Sequence, residues 1–205
     1  MIEHEKKVLL TEKEYLALMD RFGKDKNSVL QINHYFDTSD LHMNQSGITC
    51  RIREKEGKYQ AVVKNHCHDK MYCSTETEVR IRNGLVDNDF IEMGLSYQGR
   101  LHTLRTVILE TDCCTIMVDR NAYLGIVDYE LEAEFPADRE RDALRTVWEI
   151  LSALKVNDGV DVEEPTLRMT SESKSKSERF FERKLAMSAF YARGCVFDSY
   201  IGEEN

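Results

Sequence analysis

Along most of this chain apolar and charged residues alternate one for one, the period of a β-strand with two unlike faces. In "MIEHEKKVLL" the residues Glu3, Glu5, Lys7 and Leu9 share one face, and Ile2, His4, Lys6, Val8 and Leu10 the other. "LQINHYFDTSD" reads as a strand ending in a turn, where Thr38, Ser39 and two Asp cluster. "GITCRIREKEGKYQAVVKN" predicts a hairpin about Gly57, "STETEVRIRNG" another strand, and "LHTLRTVILETDCCTIMVDRNAYLGIVDYELEAEF" three strands with breaks near Asp112 and at "RNAYLG".

Helical spacing is confined to a few segments. "TEKEYLALMDRFG" carries a capping box, Thr11 with Glu14, an apolar stripe of Tyr15, Leu18 and Met19, and Gly23 as a stop. "DNDFIEMGLSYQG" predicts a short helix, and "ADRERDALRTVWEILSALKV" a longer one that buries Leu144, Val147, Trp148, Leu151 and Leu154. "RMTSESKSKS" reads as a last strand before a C-terminal helix, "ERFFERKLAMSAFYARG", whose Phe180, Phe181, Leu185 and Met187 pack within the molecule. Many strands in succession with few helices predict an α+β chain, mainly antiparallel β, rather than βαβ units. Closure into a barrel would remove the sheet edges. The simplest organisation is one domain over residues 1–205, with a helical segment from about 178.

The charged faces are segregated. Arg51, Arg53 and Lys55 align on one strand; Lys58, Gln60, Val62 and Lys64 on the next; Glu76, Glu78, Arg80 and Arg82 on a third; Asp128, Glu130, Glu132 and Glu134 on another; Lys174 and Lys176 on the last. Like charges two residues apart on one face repel, so such runs cost stability unless something compensates. A barrel turned inside out meets that need. Its apolar residues face outward under the helices, and its charges line a wet interior where cations hold an anion and carboxylates hold its metal ions. Glu3, Glu5 and Lys7 then face a channel.

Composition narrows the function. The net charge of −9 argues against general affinity for nucleic acid or anionic lipid, leaving room for a local basic site among the 28 Lys and Arg. No apolar run reaches the roughly 18 residues of a membrane helix, and the N-terminus lacks a signal-peptide profile, so a cytoplasmic location is expected. The six cysteines form no CxxC pair; free structural thiols are expected, without zinc or disulfides. His4 and His34 are read as structural.

"EHEKK" resembles the ExExK signature of the CYTH domain, the triphosphate tunnel metalloenzyme superfamily, and "HYFDTSDLHMNQSGITCRIREKEGKYQAVVK" is similar to its second signature, in which an FDT turn, an RxR strand and a distal Lys follow in order. "TLRT", "VDRNAYLGIVDYELEAEF" and "SKSKSERF" resemble segments of a bacterial subgroup, so the likeness runs from Glu3 to about Phe181. It implies an eight-stranded closed antiparallel β-barrel, a tunnel with helices outside, that binds a linear triphosphate with Mg²⁺ or Mn²⁺. Carried over, Glu3, Glu5, Glu132 and Glu134 are metal ligands; Lys7, Arg51, Arg53, Lys64, Arg105 and Lys174 or Lys176 contact phosphate; Glu5, Lys7 and Glu134 carry the catalysis. Cys50 before RxR and "AVVK" before the lysine depart from the pattern off the charged face; Arg80 and Arg82 have no assigned role.

Arg offers phosphate a planar fork, Lys a point charge, and carboxylates suit hard divalent cations. The expected activity is metal-dependent triphosphatase action on tripolyphosphate or a related small-molecule triphosphate, by a monomer or homodimer without nucleic-acid or membrane partners. The alternatives are an adenylate cyclase, a thiamine triphosphatase, and a non-catalytic polyphosphate or nucleotide sensor.

Overall fold

A computed structural model of the chain describes residues 2–66, 73–79, 88–157 and 173–194. Eight strands carry the alternating segments: β1 (Ile2–Leu10), β2 (Ser28–Asp37), β3 (Ile48–Lys55), β4 (Lys58–His66), β5 (Cys73–Val79), β6 (Ser96–Glu110), β7 (Thr115–Tyr123) and β8 (Ile126–Glu134). Among the described residues five α-helices join or cover them: α1 (Glu12–Leu18), α2 (His42–Gln45), α3 (Asn88–Glu92), α4 (Glu140–Asn157) and α5 (Lys176–Gly194).

The strands form one curled antiparallel sheet in the order β1-β5-β4-β3-β2-β6-β7-β8, with β8 back against β1. Six residue pairs, Glu5↔Glu134 to Leu10↔Tyr129, join β1 to β8, and three, Ile2↔Thr75 to His4↔Cys73, join it to β5. Two hairpins turn on left-handed pairs: Glu56 and Gly57 at φ 50° and 73°, Leu124 and Gly125 at φ 44° and 76°. Both central residues at positive φ make turns whose twist matches that of paired strands. The Thr11–Glu14 capping box forms, the Glu14 carboxylate accepting from the Thr11 N–H at 2.6 Å.

The sheet is apolar outside. Val8 and Leu10 of β1, Ile116 and Val118 of β7, and Leu131 and Ala133 of β8 are buried beneath Tyr15 and Leu18 of α1 and Ala143, Val147, Ile150, Leu151 and Leu154 of α4. Phe90 and Leu95 cover Phe36, Cys50, Ile52 and Ala61 of β2, β3 and β4. Burying this outward face frees the inward face for charge.

Two local expectations are corrected, and a third falls largely outside the described residues. The buried stripe of α4 runs through residues 143, 147, 150, 151 and 154, so Leu144 is half-buried and Trp148, a further 100° round the helix, is 46% exposed. The helix after residue 87 spans only Asn88–Glu92, because Gly94 takes φ 79° and β6 begins at Ser96. No strand precedes α5 among the described residues: Ser175 leads straight into it, and residues 158–172 of "RMTSESKSKS" and its approach lie outside the described part.

α5 lies across one end of the sheet. Phe180 and Phe181 are buried against Tyr35, Leu101 and Tyr123, whereas Leu185 is exposed. At Gly99 an added Cβ would stand 2.8 Å from Cζ of Phe180, so β6 passes under the helix only with a bare backbone there.

Candidate functional site

Because side chains alternate, every strand that shows the helices its apolar residues sends the intervening ones inward. They meet in one cavity lined by Glu5 and Lys7 of β1, Arg51 and Arg53 of β3, Lys64 of β4, Arg105 of β6, Glu132 and Glu134 of β8, and Lys176 at the start of α5. These are the residues the charge pattern and the resemblance single out, less two. Glu3 pairs in register with Ser74 on β5, but its side chain lies outside the described residues. Of the two lysines left as alternatives, Lys174 does not reach the cavity: it is exposed and its Nζ donates to Glu182 at 2.5 Å. The segment turns into a helix at residue 176, and side chains two apart that would share a strand face diverge on a helix.

Of the other aligned charges, Glu76 lines the cavity and pairs with Arg51 at 2.5 Å. Lys55 and Lys58 are exposed at the hairpin. The side chains of Glu78, Arg80 and Arg82 lie outside the described residues. His4 packs near Phe135, and His34 lies 3.6 Å from Glu54; neither lines the cavity.

Two ionic networks divide the interior. Around Glu5, Nζ of Lys7 stands at 2.5 Å and Nζ of Lys64 donates at 2.8 Å. Burial works to raise the Glu5 carboxyl, but the Lys7 and Lys64 charges prevail and hold it well below the usual carboxylate range. Burial pulls Lys7 down, and Glu5 and Glu132 outweigh it and raise the ammonium.

The second network surrounds Asp119 of β7. Arg105 forks onto it with Nε at 2.9 Å and Nη2 at 2.7 Å, and reaches Glu132 at 2.9 Å and Glu134 at 3.7 Å. Nζ of Lys176 lies 2.9 Å from Asp119 and 2.8 Å from Glu132, and also donates to Glu130. Arg179 ties Glu130, at 2.6 Å, to Asp128, at 2.9 Å. Burial lowers Lys176 to about 7 against the pull of Asp119, with Arg105 and Lys7 adding to the fall.

Sequence reasoning missed Asp119 and aligned Glu130 with the inward acids without a role for it; with Glu132 the two form an acidic cluster whose oxygens lie within 4.8 Å of one another. The signal is the same alternation: in "TIMVDRNAY" Thr115, Met117, Asp119, Asn121 and Tyr123 share a face.

Asp119 sets an acid limit on the fold. Burial would raise its carboxyl, yet Lys176 and Arg105 hold it at about 2, down from 3.8. A depressed carboxylate contributes stability that is fully present above its unfolded value near 4 and is lost as pH falls through the folded value, on the order of 2 kcal/mol for such a shift. Urea unfolding from pH 5 to pH 2 is expected to show this loss together with that of the depressed Glu5 carboxyl, and Asp119→Asn to flatten the slope; equal slopes in both proteins would refute the assignment.

Arg53 is the cation least served. Among the described residues it donates to the neutral Asn33 amide oxygen at 3.3 Å, and the neighbouring Arg51 charge, then burial, lower it to about 10. Two guanidiniums side by side over a cavity make a site that gains from an anion.

The CYTH domain profile matches residues 1–164 of the chain. Over 151 residues the chain is 30% identical to a Bacillus subtilis protein named "Putative triphosphatase YjbK", covering 65% of this chain and 77% of that one. Among solved structures, a Bacillus halodurans protein described as a "putative adenylate cyclase" superposes with a TM-score of 0.63 at 25% identity, covering 87% of this chain and 97% of that one. A Hippeastrum protein, described as a "putative adenylyl cyclase" that reveals a dominant triphosphatase activity, matches with a TM-score of 0.61 at 18% identity, over 88% and 95% of the two chains. No helix among the described residues is long and apolar enough to cross a membrane. With its ExExK strand, its RxR pair and its downstream acidic strand converging on one cavity, the chain belongs to the CYTH domain family.

Proposed function

We propose that this protein hydrolyses a linear triphosphate, inorganic tripolyphosphate or a close relative, held with a divalent metal ion in the charged cavity. In this reading the curled sheet works as a closed tunnel, and residues 1–205 act as one cytoplasmic domain, monomeric or homodimeric. The observation that carries the proposal is the convergence of six cations, Lys7, Arg51, Arg53, Lys64, Arg105 and Lys176, with Glu5, Glu132 and Glu134 on one void. A pure anion binder would have no use for those carboxylates.

The donor set fits the metal. Glu5 and Glu134 are direct cross-strand partners, as are Lys7 and Glu132, so three hard carboxylates share one patch of wall. Glu3, two residues before Glu5 on β1, completes the proposed ligands. Bound there, Mg²⁺ or Mn²⁺ would supply Lewis-acid polarisation of a phosphoryl oxygen. The protein's own groups do the rest. Arg51 and Arg53 grip non-bridging oxygens; Lys7, Lys64, Arg105 and Lys176 offset the remaining charge. Glu134, at the far end of β8 from α5 with its side chain 47% exposed, orients a water and accepts its proton as the P–O bond breaks and orthophosphate leaves.

Purified protein incubated with Mg²⁺ or Mn²⁺ and tripolyphosphate, ATP or thiamine triphosphate tests the proposal. Orthophosphate from tripolyphosphate supports it; cyclic AMP with pyrophosphate, thiamine triphosphate as the sole substrate, or binding without turnover overturns it. Arg53→Ala is expected to raise KM for tripolyphosphate at least about tenfold, the loss of a charged hydrogen bond, with a smaller change in kcat. An unchanged KM would remove Arg53 from the site.

A further inference from the structure

A vicinal thiol pair sits outside the charged cavity, in the turn that joins β6 to β7. Cys113 and Cys114 are both free, with their Sγ atoms 3.6 Å apart. The Thr111 hydroxyl holds them there. It accepts from the N–H groups of Cys113 and Cys114 at 3.3 and 3.2 Å, donates to the Cys114 carbonyl at 3.1 Å and lies 3.1 Å from the Cys113 sulfur. The two thiols differ in setting. Cys113 is half-buried, and the Thr111 hydroxyl beside it lowers its thiol, favouring the nucleophilic thiolate. Cys114 is 3% exposed, within the apolar cluster that contains Phe135 and Val147, and burial raises it. An accessible, thiolate-prone cysteine beside a sheltered resolving one is the arrangement of redox-responsive pairs.

Position ties the pair to the charged site. Cys114 directly precedes Thr115, the first residue of β7 and the cross-strand partner of Glu134. Cys114 also lines a groove outside the cavity, and Glu134 lines both. Adjacent Cα atoms stand about 3.8 Å apart, closer than the roughly 4.4–6.8 Å that a disulfide ordinarily spans. Closing the pair therefore shifts the turn and draws the Cys114 sulfur toward Cys113.

We propose that Cys113 and Cys114 are a peroxide-sensitive modification site, closing reversibly to a vicinal disulfide that displaces the start of β7 from Glu134. The Cys113 thiolate attacks one oxygen of hydrogen peroxide and the O–O bond breaks, giving a sulfenic acid on Cys113 and hydroxide. The Cys114 sulfur then attacks the Cys113 sulfur, and its proton departs with the sulfenic hydroxyl as water. In sum two thiols are oxidised and one peroxide is reduced to two waters. Strain in so small a ring makes the bond easy to reduce, as a reversible switch requires. The consequence for turnover rests on the triphosphatase reading above; the modification itself does not.

Hydrogen peroxide treatment of the full chain, followed by alkylation of free thiols and a tryptic mass map, tests the site. Cleavage after Arg105 and Arg120 isolates residues 106–120, whose only cysteines are these two. The oxidised peptide is expected to lack two hydrogens and to carry no alkyl group, and dithiothreitol to restore both thiols. Hydrogen exchange at the β8 amides around Glu134 is expected to speed up about tenfold. Orthophosphate release from tripolyphosphate is expected to fall about tenfold or more, since misplacing a reacting group by about 1 Å costs up to about 100-fold. Cys113→Ser should abolish all three responses to peroxide. Thiols still alkylated after peroxide, a sulfinic acid at Cys113 that dithiothreitol does not reverse, or a bond from either residue to a different cysteine overturns the site. A disulfide that leaves β8 exchange or the turnover of an active protein unchanged overturns the link to Glu134. Absent turnover even in the reduced protein overturns the triphosphatase reading, and the mass map and the exchange then decide the switch alone.

Discussion

Glu134→Gln lowers kcat for orthophosphate release from tripolyphosphate by about 100- to 1,000-fold, on the expectation that a charge essential to the reacting centre is lost. The substitution keeps shape and removes charge. Its structural cost is small because the side chain is 47% exposed and its contact with Arg105 is long, at 3.7 Å. The anion-gripping side chains Arg51, Arg53 and Lys64 sit on other strands and remain in place. Tripolyphosphate affinity is therefore expected to stay within about threefold, because the Gln adds no repulsion and removes none of the cations. Steady-state rates beside metal-free binding read the two effects separately. Full activity in the variant would show that the metal and water assignment is wrong.

Phe180→Ala is expected to destabilise the chain by about 3–5 kcal/mol, the usual cost of emptying a buried aromatic site. Phe180 is fully buried, packs tilted against Tyr35 and edge-on against Phe181, and fills the space that Gly99 leaves on β6. Collapse around the void is hindered, because the strand backbone on one side is held by its ladder to β2. Urea denaturation measures the loss; a change under 1 kcal/mol would mean that α5 docks through its salt bridges instead. The same substitution should loosen Lys176 and Arg179, which α5 delivers to Asp119, Glu130 and Asp128.

Much of the cavity was legible in the chain. Glu5, Lys7, Arg51, Arg53, Lys64, Arg105, Glu132 and Glu134 follow from strand alternation joined to the family resemblance, and the cavity gathers all of them. Trp148 was misread because a helix stripe of five apolar residues can be phased two ways, and the packing of α4 on β8 selects the one through Ala143 and Ile150. Strand alternation puts Lys174 and Lys176 on one face, but a helix begins at Lys176 and parts them.

The sequence by itself determined the two-faced strands, the hairpin at Gly57, the capped α1 and the segregation of acid from base, since each depends on backbone geometry acting over a few residues. Only the tertiary structure decided which lysine enters the cavity and that Asp119 and Glu130 anchor the interior. Those outcomes depend on side chains from segments up to 128 residues apart, such as Thr49 and Ser177. The local pattern says which face a side chain takes; the register between distant strands and the docking of α5 say what it meets there.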